Sequence, residues 1–340
     1  MTQHKRLGIF TRLLDAVPPG ERYRLAAEQI VYAESLGFDS AWVAQHHFNY
    51  DEGGLPSPFV FFGHVAAQTR TISLGTGIVT LPLEQPLRVA EDAAVLDLLS
   101  GGRLELGIGS GGTASSFVAF GLDSAQRGAI NSANLDVVRS ALGGQDVGGG
   151  NRLHPEGKPI LKRIWQATFS VDGGARAGTA GDGLMLSRTQ PRSPDNPHAS
   201  LADLQHPIID AYLENLPTGV EPRILASRTL FVTDEQSTAL EWADIGLRRI
   251  AEKFVAGGHI LTGNTLPDLI RAFDTHVGTP ESAIDTLSQD STLDRATDIS
   301  FQVHSVDPPH ALILRSLELI ATRVAPALGW RTAPPVAIAS

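Results

Sequence analysis

The chain has 340 residues, 42% of them apolar and 19% charged, with a formal net charge of −10. Such a balance suits a folded domain with a large core and speaks against a nucleic-acid surface, because no stretch gathers Lys and Arg into a stripe. Without a single cysteine, disulfides, thiolate nucleophiles and thiolate metal sites are excluded. No apolar run is long enough to span a bilayer, and MTQHKRLGIFT at the start lacks the apolar core of a secretion signal. The expected location is the cytoplasm.

In chain order, Leu7 to Thr11 reads as a strand and Glu21 to Leu36 as a helix, with Ala26, Ile30 and Ala33 in line and Gly37 as its stop. Phe38 to Ala44 forms a second strand that runs directly into Gln45, His46, His47 and Phe48. Pro58 to Thr69 is a helix, and Ile72 to Val79 a third strand interrupted by Gly75 and Gly77. Glycine inside a strand marks a bulge or a ligand lying against the backbone. Pro86 opens the next helix, whose Leu87, Ala90, Ala94 and Leu98 share one face until Gly101 and Gly102 end it. Leu104 to Ile108 is strand four.

Asn131 to Leu142 reads as helical. Ile164 to Thr168 and Leu184 to Ser187 are strands five and six, separated by a small-residue loop and a short helix. A helix at Leu201 to Leu216, a strand at Thr229 to Thr233 and a helix at Glu235 to Phe254 follow. Ala256 to Gly278 reads as irregular, which makes it the candidate for a mobile lid. Strand eight spans Asp298 to Val303, and Ala311 to Val324 closes the chain as an amphipathic helix. Eight strands alternating with helices predict one (β/α)8 TIM barrel with extended βα loops across residues 1–340, rather than an open doubly wound sheet.

Barrel enzymes place their chemistry at the C-terminal strand ends, which singles out the pair after strand two. Histidine titrates near neutrality and can accept or donate a proton. Neighbours in extended structure face opposite ways. His46 is therefore read as the functional imidazole, and His47 as a packed, hydrogen-bonded core residue. No nearby set of Asp, Glu and His has metal-ligand spacing.

Gly107, Gly109 and Gly112 match G-x-G-x-x-G. The match falls at strand four instead of the first βαβ unit, and no carboxylate ends a following strand at the required distance. Its meaning is bare backbone that a flat ligand can approach. Ser170 to Gly174 offers a hydroxyl, glycines and a helix N-terminus. It reads equally as a phosphate site or as an ordinary βα loop. Glu91, Asp92, Asp97 and Arg103 read as salt-bridging residues, and Trp42 and Trp165 as core.

Four segments, AEQIVYAESLGFDSAWVAQHHF, GTGIVTLPLEQPLRVAEDAAVLDLLSGGRLELGIGSGG, TFSVDGGARAGTAGDGLMLS and VGTPESAIDTL, give the chain its resemblance to the bacterial luciferase-like, flavin-dependent monooxygenases. The resemblance runs from RLGIFT to RSLELIATRVAPAL. It implies a TIM barrel that takes reduced FMN from a separate flavin reductase and oxygenates a small organic substrate through a flavin C4a-peroxide. It also implies a homodimer. His46 falls on the family's catalytic histidine. Gly77 and Ile78 fall on a non-proline cis peptide beneath the flavin ring. Gly109, Ser110 and Gly112 fall on the segment lining the ring, and Phe169, Ser170, Gly173 and Gly174 on the phosphate loop.

Three positions depart from the pattern. Gly109 stands where luciferases carry a reactive cysteine, Ser110 where they carry a phosphate-binding arginine, and Gly173 where a threonine helps. Losing an arginine–phosphate bond weakens binding, since charge-assisted hydrogen bonds are the strong ones. FMN is therefore expected as a loosely held co-substrate, with Arg176 or Arg188 as possible replacements for the missing cation. The alternatives on the same fold are an F420-dependent oxidoreductase and a flavin-binding protein without turnover.

Overall fold

The computed structural model describes residues 4–303 and 308–332; the first three residues of the N-terminal stretch lie outside them. The strands are β1 (Arg6–Thr11), β2 (Ser40–Val43), β3 (Ser73–Thr76), β4 (Val79–Thr80), β5 (Leu104–Gly109), β6 (Ile164–Ala167), β7 (Gly183–Leu186), β8 (Ile224–Val232), β9 (Thr275–Gly278) and β10 (Asp298–Gln302). Their pairings are parallel and run β1-β2-β3-β5-β6-β7-β8-β10. β10 then pairs with β1, Leu7 opposite Ile299, and the sheet closes into an eight-stranded barrel. Strands of such a sheet are covered on both sides; all six residues of β5 and all five of β10 are buried, the polar Glu105, Asp298, Ser300 and Gln302 included.

Large aromatic side chains fill the barrel interior. Trp42 and Trp165 meet edge to face with ring centroids 5.6 Å apart, and Met185 and Leu225 complete the cluster. Each indole N–H has a partner, as buried indoles require: Trp42 donates to Ser40 Oγ at 2.9 Å and Trp165 to Glu105 Oε2 at 2.7 Å. Gly75 and Gly183 lie under these two rings, so the strand glycines there make room for tryptophan and not for a ligand. Gly107 has a different duty. Any Cβ on it would run into the carbonyl oxygen of Thr76, whose hydroxyl donates to Gly107 O at 2.6 Å and accepts from Gly107 N at 2.9 Å.

The predicted third strand, Ile72 to Val79, is divided into β3 and β4 at Gly77–Ile78, whose peptide bond is cis. Strand seven begins at Ile224, five positions earlier than its apolar core at Thr229 indicated. The lid expectation needs the largest correction. Leu266–Ala272 is a helix opened by a Thr265–Asp268 capping box, and Thr275–Gly278 pairs with β8 outside the barrel. Phe273 between them is buried. His259, in the remainder, stacks on Phe254 with centroids 4.8 Å apart. Alternation of glycine, histidine and threonine concealed an extra strand and helix.

The acidic residues of the third helix (Pro86–Ser100) are structural. Arg88 pairs with Glu91 and Asp92, and Asp97 takes two hydrogen bonds from Arg163. Among the described residues no helix is long and apolar enough to cross a membrane, and no cluster of three acidic or histidine side chains could hold a metal ion.

Candidate active site

A cavity of about 790 Å³ opens at the C-terminal ends of the strands, a size ordinary for small-molecule and cofactor sites. All eight barrel strands, or the loops just beyond them, contribute to its wall. Phe10, Ile78 and Ala167, which pack on the tryptophan cluster, form an apolar floor.

His46 reaches this cavity because the loop after β2 folds back on itself. Its N–H donates to Leu55 O at 3.0 Å, and its ring lies over Gly53, where a Cβ would meet Cδ2 at 2.5 Å. The preceding Gln45 is an anchor. Its amide donates to Glu84 Oε1 at 2.6 Å and Pro56 O at 2.9 Å while accepting from Thr80 N at 2.7 Å. The histidine loop is thereby tied to β4, immediately after the cis peptide.

His46 Nδ1 stands 3.8 Å from Glu52 Oε2, an ion-pair separation too long for a hydrogen bond. Thr113 Oγ1 donates to the same oxygen at 3.0 Å. Burial holds the imidazole pKa below its usual value; Glu52 opposes that, and Arg12 and His47 reinforce it. At neutral pH His46 is an uncharged base. Replacing Glu52 with glutamine removes the one group that favours the imidazolium, so His46 in E52Q should titrate at still lower pH in an NMR pH series. A titration that moves upward or not at all would remove Glu52 from that role. Because burial depresses this pKa, the stabilisation carried by neutral His46 is complete above about 6.5 and is lost as pH falls through the lowered value.

His47 departs from expectation. It is half-buried and also lines the cavity, with its ring edge to face on Phe120 at 5.1 Å. Its Nε2 is buried without a hydrogen-bond partner, so it is not the satisfied core histidine the alternation rule implied.

Gly77, Ile78, Gly109, Ser110, Gly112, Phe169, Ser170 and Gly173 all line the same cavity as His46. Gly112 is open, with nothing near its missing side chain, whereas a Cβ on Gly109 would meet Ile78 Cδ1 at 2.6 Å. Gly174 is the exception. It packs against the Ile208 carbonyl on the neighbouring helix (Leu201–Glu214), and its glycine serves that helix contact and not a ligand.

Ser170 caps the helix Val171–Thr179, its Oγ accepting from Gly173 N at 3.1 Å. First-turn N–H groups and the helix dipole favour an anion at such an end. Asp172 is exposed. Gly173 must be small because a Cβ would collide with Thr168. The Thr168 hydroxyl lies 3.3 Å from Ser170 Oγ, so two hydroxyls stand at this helix end although position 173 has none. Arg176 and Arg188 both line the cavity, and so does Arg127.

Sequence reasoning missed Arg12, Glu52, Thr113 and Gln302. Arg12 and Gln302 stand at the C-terminal ends of β1 and β10, a position that could have flagged them. Glu52 gave no local signal, because only the fold-back of its loop brings it to His46. Ser227 Oγ, Ser300 Oγ and both amide atoms of Gln302 are buried, face the cavity and have no hydrogen-bond partner. Buried polar groups are normally satisfied, so these mark a place for a ligand with polar edges. A heteroaromatic ring with a phosphate-bearing tail matches both this row and the Ser170 helix end.

A closed parallel barrel with an uncharged imidazole and a capped helix N-terminus facing one cavity at the strand ends is the setting in which barrel enzymes place their chemistry. Residues 7–298 match the family model for luciferase-like monooxygenases. The chain belongs to that family, and its predicted barrel and family resemblance are both borne out. It is 28% identical to the limonene 1,2-monooxygenase of Rhodococcus erythropolis over 321 residues, 88% of this chain and 80% of that one. With other curated relatives the match is local: the chain spans about a third of the length of the 4-hydroxyprotoasukamycin monooxygenase of Streptomyces nodosus subsp. asukaensis, at 37% identity over 115 residues. In fold it is similar to the oxygenating constituent of 3,6-diketocamphane monooxygenase from Pseudomonas putida, solved in complex with FMN (TM-score 0.73, 19% identity, 95% and 98% of the two chains). The coenzyme F420-dependent tetrahydromethanopterin reductase of Methanopyrus kandleri is similar too (TM-score 0.70, 18% identity, 96% and 99%).

Proposed function

We propose that this chain is the oxygenating component of a two-component monooxygenase, taking reduced FMN from a flavin reductase and using O₂ to oxygenate a small organic substrate. The observation that supports this most is the convergence, in one cavity, of neutral His46, the Gly77–Ile78 segment and the Ser170 helix end. Reduced flavin supplies the electrons that activate O₂; the protein's own residues bind, orient and shield it. Ile78, Gly109 and Phe10 provide an apolar shelf for the ring, and Gln302, Ser300 and Ser227 offer polar partners to its edge. Ser170, Thr168 and the first turn of their helix hold the phosphate, with Arg176 and Arg127 as the nearby exposed cations. His46, uncharged, accepts or returns a proton at the reacting edge.

Anaerobic titration of the purified chain with reduced FMN and with reduced F420 tests this reading. Binding of FMN is expected; binding of F420 alone would replace oxygenation by hydride transfer. Ser170→Ala should weaken FMN by roughly tenfold, as the loss of a hydrogen bond to a charged group does, while riboflavin, which has no phosphate, changes little. Equal losses for both would move the phosphate elsewhere.

A further inference from the structure

The cavity carries more positive charge than one phosphate needs. Four arginines line it, Arg12, Arg127, Arg176 and Arg188, and no Asp or Glu side chain does among the described residues, in a chain whose net charge is −10. Arg127 and Arg176 are solvent-exposed, Arg176 on the helix that Ser170 caps. Arg12 and Arg188 are a separate pair, following β1 and β7.

Among the described residues, neither of these two has a carboxylate within ion-pair distance; Glu52 and Asp274 act on them only from further away. Arg188 is only 8% exposed; it donates from Nη1 to the neutral Thr229 Oγ1 at 3.2 Å and lies 5.3 Å over the Phe254 ring. Arg12 Nε is buried with no hydrogen-bond partner. The nearby acids are already engaged. Glu52 faces His46 and Thr113, and Asp274 takes Arg192 at 2.5 and 2.7 Å and Thr189 at 2.7 Å.

Burial lowers Arg12 to about 10, with Glu52 opposing and Arg249 reinforcing; burial and then Arg12 lower Arg188 to about 9, with Asp274 opposing. Both remain cations at neutral pH. The neighbouring His259 is held to about 4 by burial, Arg192 and Arg188, and so is neutral. Desolvated like charges facing one space are costly unless an anion meets them. A guanidinium fork fits a carboxylate or sulfonate with two parallel hydrogen bonds.

We propose that Arg12 and Arg188 form a subsite for the acid group of an organic substrate, a carboxylate or a sulfonate, whose hydrocarbon body lies along Met185 and Leu225 beside His46. As a substrate assignment this rests on the flavin reading above; as a binding site it stands alone. A field of one sign in a low-dielectric cleft also draws such anions in against the chain's overall charge.

Calorimetric titration of the flavin-free protein with hexanoate, hexanesulfonate and neutral hexanamide, at fixed ionic strength, tests it. Either acid should bind at least about tenfold more tightly than the amide. Arg12→Met and Arg188→Met should each abolish that preference, while Ser170→Ala leaves it intact. Should the methionine variants fail to fold, the wild-type comparison decides alone, and Arg188→Lys keeps a charge but loses the fork. Equal affinity for acid and amide, no binding of either acid, or unchanged preference in both methionine variants would overturn the subsite. Repeating the titration with saturating FMN separates substrate from cofactor: hexanoate affinity should stay within a few fold, and its loss would assign the arginines to the flavin and overturn the proposal. Protein that takes hexanoate but no flavin would sink the monooxygenase reading and leave the subsite supported.

Discussion

Replacing His46 with alanine should lower turnover by about 10²- to 10⁴-fold, with affinity for reduced FMN changed no more than a few fold. The first figure is what a positioned general base contributes. The second follows from placement, since His46 sits on the loop after β2, over Gly53 and beside Glu52, and Ser170 on a different element, the cap of the helix Val171–Thr179. In the proposed function, binding and chemistry therefore fall on different elements of the barrel. The measurement is steady-state oxygenation of any aldehyde, ketone or sulfonate that the wild type accepts, together with anaerobic flavin titration of the variant. Unchanged turnover would make the imidazole a structural residue. A parallel collapse of flavin affinity would show that the substitution had disturbed the loop and not removed a base.

The second large effect divides the glycine motif. Gly107→Val should destabilise the fold by about 3 kcal/mol or more, as overpacking against rigid backbone does, because the new side chain meets the Thr76 carbonyl and comes within 2.8 Å of Met185 Sδ. Relieving that clash by moving the strands apart would strain the two hydrogen bonds that Thr76 Oγ1 makes to the backbone of residue 107, joining β3 to β5. Gly112→Val, three positions beyond Gly109 in the same pattern, has open space around it. It should fold with wild-type stability and weaken only the cofactor it would crowd. Urea midpoints for the two variants, with flavin titration of the second, check this. Equal destabilisation would mean that the motif acts as one unit, as a dinucleotide loop does.

That contrast explains why the fold was legible and the site only partly so. Alternation of apolar strands and amphipathic helices is a local property, and it located every strand of the barrel. Register and closure followed from the architecture. Glycine has no such single meaning. Gly75, Gly183 and Gly107 are small for tryptophans and a carbonyl, Gly174 for a neighbouring helix, and Gly112 for open space; the sequence shows five identical letters.

The same limit hid the partners of His46. Glu52 follows it closely in sequence, yet only a folded-back loop makes them neighbours, and Arg12 comes from a different strand end altogether. Composition pointed the wrong way for the cavity. An acidic chain with no basic stripe encloses a wall whose ionisable groups are arginine and histidine, because charge is averaged along a sequence and concentrated in a fold. His47 shows the reverse error. Alternation assigned it to the core, and the loop after β2 is not extended, so both imidazoles reach the cavity.

The most direct test of the account is a crystal structure of the protein soaked with FMN. The isoalloxazine ring should lie against Ile78 and Gly109, with its edge toward Gln302 and its phosphate within hydrogen-bond distance of Ser170 or Thr168. A phosphate bound instead between Arg12 and Arg188, with the ring away from His46, would contradict it.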